Sequence, residues 1–454
     1  MTATAVGSFN RWRSRTTFVL ALSASAVGLG NLWRFSYLAG ENGGAPFVVA
    51  YVLCLFLVAV PVLVAEVVIG SHGRGGPVAA LRWAADRSLL SRAWVTLGWL
   101  ACGTGVLILA YYAVIAGWAL AYARFMQLGT FSAASAALVG EHFQQFLVEP
   151  ARQVYWQTLF LLLAGAFVFF GVRRGLGLLV WLAVPGMLFL LGALLQFSFA
   201  HGDMAAAREF LFSVQWADFD SRTVLIALGH AFFTLGVGVG TGLSYGAYAP
   251  PRIPIGRSVM AVAVFDTMIA LLVGVVVFPL VFANNMSPAG GPGLLFISVP
   301  YAFGNLLQGE LFGALFFLLV VLAALGSAVA MIEPAVRALM QQARLRRGTS
   351  VLVVLSIAWI LGLTLVLGMS PGQGWFANGN LFAFLDAITA QWLLPLVSLG
   401  TAVLVGWRLR PEILRVELYR ETPLFFSLWR LLLRYLAPSA IGLLILLALV
   451  SSGI

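Results

Sequence analysis

The sequence contains no lysine, only two cysteines and four histidines, and charged residues fill just 9% of its 454 positions. Soluble globular chains carry about 25% charged residues, so a water-soluble enzyme is excluded. Cys54 and Cys102 both lie inside apolar segments and read as small buried hydrophobes rather than a disulfide or metal framework. His72, His142, His201 and His230 are scattered, which argues against a membrane enzyme with a clustered catalytic site. What is abundant is apolar: 61% of residues are hydrophobic and mean hydropathy is +0.99. The chain is an integral membrane protein. At about 20 residues per helical span, its length allows roughly 10 to 12 spans and no sizeable soluble domain.

Apolar segments fall at 16–38, 46–71, 92–124, 154–172, 175–200, 222–248, 257–283, 310–341, 349–369, 381–407 and 430–450, which predicts an all-α fold of eleven spans. The first run leads into another span without a small-residue cleavage site and is expected to stay as a helix rather than be removed as a signal peptide. The stretch 284–309, interrupted by Pro288, Gly290, Gly291, Pro292 and Gly293, is expected to be an extracytoplasmic loop with short helices. Net charge is +10, and every basic residue is arginine. With the N-terminus inside, 21 of the 26 arginines fall in cytoplasmic segments, around 11–15, 74–92, 173–174, 252–257, 337–347 and 408–434. The basic surplus is therefore topological, and a nucleic-acid partner loses its support. The lipid bilayer is the expected surroundings, with no protein partner evident.

Two spans carry glycines where a helix should be most regular: Ala26-Val-Gly-Leu-Gly-Asn31 in the first, and Leu235-Gly-Val-Gly-Val-Gly-Thr-Gly242 in the sixth. Irregular backbone survives at membrane depth only when buried in protein or lining a cavity. Because the two breaks open corresponding helices of two five-span halves, they point to an inverted-repeat transporter with a midplane site. Freed amides there favour a carboxylate, and freed carbonyls with the Thr234 hydroxyl favour a small hard cation. Few charges lie within spans, and each costs on the order of 2.5–3.5 kcal/mol at the bilayer centre. Asp266 has no basic neighbour in sequence, so a bound cation is its natural partner. Arg34 and Asp386 are expected to pair across a vestibule, Glu66 to hold exposed amides of a broken helix, and Glu333, just before Pro334, to cap or pack.

These residues, with Trp33-Arg34-Phe35, Glu41-Asn-Gly-Gly44, Pro61, Tyr111-Tyr112, Phe232-Phe-Thr-Leu235, Tyr245, Tyr248 and Gly291-Pro-Gly293, run in order over nearly the whole chain. They resemble the neurotransmitter:sodium symporter family, in its short eleven-helix bacterial form. The resemblance implies a leucine-transporter-like fold of 5+5 inverted repeats: a cytoplasmic segment at 1–15, repeats at 16–200 and 222–408, and an extra C-terminal helix at 430–450. It implies sodium-coupled symport of an amino acid into the cell across a bacterial inner membrane, N-terminus cytoplasmic and C-terminus outside, with one or two Na+ and no organic cofactor.

By resemblance, a first sodium is held by Ala26, Asn31, Thr234 and Asp266. The substrate lies on Gly28, Leu29 and Gly30 and is lined by Ala26, Ile108, Tyr112, Phe233, Thr234, Gly236, Val239, Ser327 and Met331. A second sodium site comprises Ala24, Val27, Ala323 and Ser327, with the outer gate at Arg34 and Asp386 and the inner gate at Trp12 and Tyr248. Departures sharpen this. Chloride-dependent relatives have Asn at the position of Asp266, so chloride-independent transport is expected. Gly326 removes a hydroxyl and predicts a weakened second site. His230 replaces an amide and reads as a fixed hydrogen-bonding group. Phe9 and Gln341 replace the ion pair of the inner gate, leaving its latch unassigned. Gly236 and Val239 widen the pocket toward apolar or aromatic side chains. A proton-coupled permease for another small solute on the same fold, and a non-transporting membrane sensor, remain as alternatives.

Overall fold

A computed structural model describes residues 11–214, 220–369 and 380–451. Most of the predicted N-terminal segment, Phe9 included, lies outside the described residues. Among those described there is helix and no strand. Eight helices are long and apolar enough to cross a membrane: Ala45–Gly73, Arg92–Gln127, Val172–His201, Ile255–Ala283, Gly309–Gln342, Arg347–Met369, Asn380–Arg408 and Pro423–Leu449. A further span is the pair Arg15–Ala26 and Gly30–Glu41, bent by 47°. The two remaining predicted spans correspond to Pro150–Phe169, which carries Arg152, Gln153 and Gln157 in its first half, and to Ser221–Leu235 followed by Thr241–Ala247. We number these eleven segments as spans 1 to 11 in chain order. The last begins at Pro423, ahead of the predicted 430, because Thr422 caps it by accepting from the Phe425 amide at 3.2 Å. The stretch 284–309 is a loop with two short helices, Gly291–Leu294 and Ser298–Gly304.

Spans 3 and 8 pack along each other at the centre, with 78% and 83% of their apolar windows buried. Spans 5, 9 and 11 have only 44%, 33% and 28% buried and expose Phe189, Leu352, Ile360 and Leu446. Water offers no home for that apolar surface, so these spans face lipid.

Span 1 starts at an N-cap, Ser14, whose hydroxyl accepts from the Thr17 amide at 3.1 Å. Its helix ends at Val27, which is extended (φ −71°, ψ 110°), and resumes in a wide turn over Gly30–Arg34. Span 6 breaks between Leu235 and Thr241, where Gly236, Gly238 and Gly240 all have positive φ (62°, 90° and 77°). Side chains with a Cβ avoid that region, so the alternation of glycine is the local cause of the break.

Candidate functional site

Each break leaves backbone groups that a continuous helix would satisfy, and side chains take them up, Asn31 from within span 1 and Tyr112 and Glu66 from other spans. In span 1 the Gly28 amide donates to Asn31 Oδ1 (3.1 Å) and the Leu29 amide to the Tyr112 hydroxyl (3.1 Å). In span 6 the Gly238 amide donates to Glu66 Oε1 at 2.9 Å, and the other carboxylate oxygen sits against Gly242. Glu66 is fully buried in span 2 and accepts from this amide inside the break. Gly28 is required by close approach: a Cβ there would lie 2.2 Å from Ser327 Oγ and 2.6 Å from the Tyr112 hydroxyl oxygen.

Beside these breaks, oxygen-bearing side chains from spans 1, 2 and 6 converge on Asp266 of span 7, which is fully buried. Asp266 Oδ1 accepts from Asn31 Nδ2 (2.8 Å) and from the Thr234 hydroxyl (3.1 Å), and Oδ2 accepts from Tyr51 (2.9 Å). Thr234 Oγ1 lies 3.3 Å from Asn31 Oδ1. A carboxylate, an amide and a hydroxyl in mutual reach form a donor set suited to a hard cation rather than to a transition metal. Among the described residues, no three His, Cys, Asp or Glu side chains gather as a transition-metal site would need. Tyr51 reads in the sequence as one more aromatic in an apolar run, and only its reach across to span 7 gives it a role.

A cavity of about 30 Å³ adjoins this cluster. It is lined by Ala26, Gly30, Ile108, Tyr112, Phe233, Thr234, Gly236, Val239, Ser327 and Met331, all expected from the resemblance, and also by Ser25, Thr241, Ala330 and Leu394. Gly28 and Leu29 are not among its lining residues, and their amides are engaged by Asn31 and Tyr112. Leu394 belongs to span 10, and its leucine type carries no signal that would have singled it out among its neighbours.

Around the expected second ion site, the Ser327 hydroxyl donates to the carbonyls of Ser25 (3.0 Å) and Val27 (3.4 Å). The Ala24 carbonyl presses on Gly326, where a Cβ would meet it at 2.2 Å. Glycine at 326 thus lets spans 1 and 8 close to a distance that a side chain would forbid. Ala323 is buried one turn earlier on span 8.

Two side-chain clasps flank the cavity. Toward one end, Arg34 Nη1 meets Asp386 Oδ1 at 2.7 Å, and the Arg34 guanidinium lies 4.6 Å from the centre of the Phe233 ring. Toward the other, the Trp12 amide donates to the Tyr248 carbonyl (2.9 Å) and its indole to the Tyr245 carbonyl (3.3 Å). The Tyr248 hydroxyl then donates to Glu333, which also receives Arg347 through Nη2 (2.5 Å) and Nη1 (3.2 Å). Glu333 is therefore no helix cap: fully buried, it is the acceptor that joins spans 6, 8 and 9. Gln341 accepts from the Gly76 amide at 2.8 Å. His230 also departs from expectation. It is buried among the rings of Tyr51, Phe47 and Phe35, with centroids 5.1 to 6.1 Å away, and neither ring nitrogen has a hydrogen-bond partner among the described residues. Packing against these aromatic rings positions it.

Two broken spans facing each other across a buried polar cluster, with a clasp at either end, define a secondary transporter of the leucine-transporter-like fold. The chain belongs to the sodium:neurotransmitter symporter family, whose model matches residues 9–133 and 143–452. It is 31% identical to an uncharacterised sodium-dependent transporter, YhdH, of Bacillus subtilis, over 95% of this chain and 96% of that one. It is 25% identical to sodium-dependent nutrient amino acid transporter 1 of Drosophila grimshawi, over 83% of this chain and 68% of the relative. Among solved structures, that of MhsT in complex with L-phenylalanine matches with a TM-score of 0.87 and 33% identity, covering 97% of this chain and 99% of that one.

Proposed function

We propose that this protein imports an apolar or aromatic amino acid together with sodium, independently of chloride. The carrying observation is the convergence of Asn31, Thr234 and Asp266 beside the breaks of spans 1 and 6. Asp266 supplies a fixed negative charge to a cation there. A substrate carboxylate, drawn by the amide end of a half-helix, completes the ion's shell. Ion and substrate then favour each other's binding, which is the physical basis of coupling. The apolar walls offered by Ile108, Val239, Ala330, Met331 and Leu394 favour a bulky hydrocarbon side chain, consistent with the phenylalanine named for MhsT. At about 30 Å³ the cavity admits only water-sized guests, so an amino acid enters when the walls part and the clasps alternate.

On this reading Arg34 with Asp386 is the outer gate, and Trp12, Tyr248, Glu333 and Arg347 form the inner one. The N-terminus faces the cytoplasm and the membrane is the bacterial inner one. A second ion, if carried, sits weakly between Ser327 and the carbonyls of span 1. The test is uptake of pooled labelled amino acids into proteoliposomes under a sodium gradient, with sodium replaced by choline in parallel. Uptake that persists in choline, or none of any amino acid in sodium, would overturn the proposal. A Hill coefficient for sodium near one is expected.

A further inference from the structure

Glu333 and Arg337 stand about one turn apart on span 8, and both are buried. A glutamate four residues ahead of an arginine is the favourable order for a pair along a helix, yet no ion pair joins these two. Glu333 is held instead by Arg347 of span 9, through both carboxylate oxygens, and by the Tyr248 hydroxyl on Oε1. Among the described residues no hydrogen bond or ion pair reaches the Arg337 guanidinium, and its Nε is buried without a partner. What it does meet is the face of Tyr248, with Cζ 5.0 Å from the ring centre.

A buried cation without a counter-charge is destabilising. An aromatic face offsets less of that than a charge-assisted hydrogen bond does. The shut clasp therefore keeps Arg337 in a poorer setting than the one a turn away, and the obstacle is occupancy: the Tyr248 hydroxyl already sits on Oε1. Tyr248 ends the second half of span 6, whereas Glu333 and Arg337 both belong to span 8. Parting of those two spans takes Tyr248 from both residues in one movement, vacating Oε1 and stripping Arg337 of its ring. The root of the arginine stays fixed, since Gly76 approaches so closely that a Cβ there would lie 2.9 Å from Arg337 Cβ. A swing of the outer side chain suffices to reach Glu333.

We propose that Arg337 takes the place of Tyr248 on Glu333 when this clasp opens. Glu333 is then bonded to Tyr248 and Arg347 in the shut state and to both arginines in the open one, so that opening exchanges one partner for another. Arg337 is a positioning residue that stabilises the open state. This rests on the reading of Trp12, Tyr248, Glu333 and Arg347 as the inner gate.

The full-length protein in detergent, without sodium or amino acid, is followed by hydrogen exchange of residues 241–247, with span 3 as the reference for global unfolding. R337Q is expected to slow this exchange about tenfold, because the open clasp loses an ion pair and the shut one loses a ring contact. R337K, which keeps the charge, is expected to restore most of the native rate. In the E333Q background R337Q is expected to have no further effect. Exchange in R337Q as fast as in the native protein, or faster, would overturn the proposal by showing that Arg337 merely braces the Tyr248 ring, and that comparison stands whether or not E333Q folds. So would slowing that persists in E333Q. Sodium-driven uptake is measured alongside: its absence in the native protein would overturn the proposed function, while the exchange rates still decide the role of Arg337.

Discussion

Arg34 and Asp386, 352 positions apart in the chain, meet through one 2.7 Å contact that leaves their side chains only 11% and 25% exposed. The arginine lies at the same time over Phe233, a wall of the central cavity. One guanidinium therefore senses both the cavity and span 10.

Removing either partner is expected to lower uptake about tenfold or more, equivalent to ~1.4 kcal/mol of lost closure, with less effect on equilibrium substrate binding. The exchanged pair R34D/D386R is expected to recover part of the loss. A double-mutant cycle on uptake rates measures the coupling, and strictly additive effects would show that the contact does not gate.

Gly28→Ala places a Cβ where Ser327 and Tyr112 already are. Overpacking of this kind costs about 1–3 kcal/mol, and here it falls on the turn beside the cavity, so substrate binding is expected to fall below detection while the protein still purifies folded. Adding S327A removes the nearest clashing atom and is expected to restore some binding. Scintillation proximity binding on both variants provides the comparison.

Asp266→Asn removes the fixed charge beside Asn31 and Thr234. Uptake by this variant is expected to need an added anion and to rise with chloride, whereas the native protein works equally in chloride and gluconate. Equal chloride dependence in both would count against the role given to Asp266.

Glu333→Gln leaves Arg347 without its counter-charge and weakens the acceptor for Tyr248. Breaking one partner of a buried pair costs about 3–5 kcal/mol, and the thermal midpoint in detergent is expected to fall accordingly. E333Q/R347Q, which leaves no lone charge, is expected to be the milder variant.

The short helix Pro411–Glu417 is strapped to span 2, where Ser71 Oγ lies 2.8 Å and His72 Nδ1 2.9 Å from the Glu417 carboxylate. Burial pushes this carboxyl up, but the hydrogen bonds from His72 and Ser71 outweigh burial and hold it below its ordinary value of 4.5. A depressed value contributes stability that is present above the ordinary value and lost as pH falls through the depressed one. Hydrogen exchange, corrected for intrinsic rates, is expected to show residues 411–417 losing protection as the medium is acidified below pH 4.5. Glu417→Gln is expected to abolish that pH dependence.

Much of this architecture is legible in the chain because a membrane permits so few ways to be polar. The glycines at 28, 30, 236, 238 and 240 mark the broken helices, and Asp266, Arg34 and Asp386 stand out by cost alone. Less legible is anything whose meaning depends on a partner from a distant segment. Glu333 beside Pro334 reads as a local feature until Tyr248 and Arg347 reach it. His230 reads as a hydrogen-bonding group until three aromatic rings surround it. Tyr51 and Leu394 have ordinary residue types for their spans, and only tertiary packing recruits them.

Three alternating left-handed glycines would make span 6 a slack joint if it stood alone. Glu66, reaching from span 2 to the Gly238 amide, changes its mechanics. Both halves of span 6 pack on span 2, and Glu66 ties the glycine break between them to that same span. Shortening that tie by one methylene, Glu66→Asp, is therefore expected to slacken the joint between the cavity and the opposite clasp while leaving the cavity walls chemically intact.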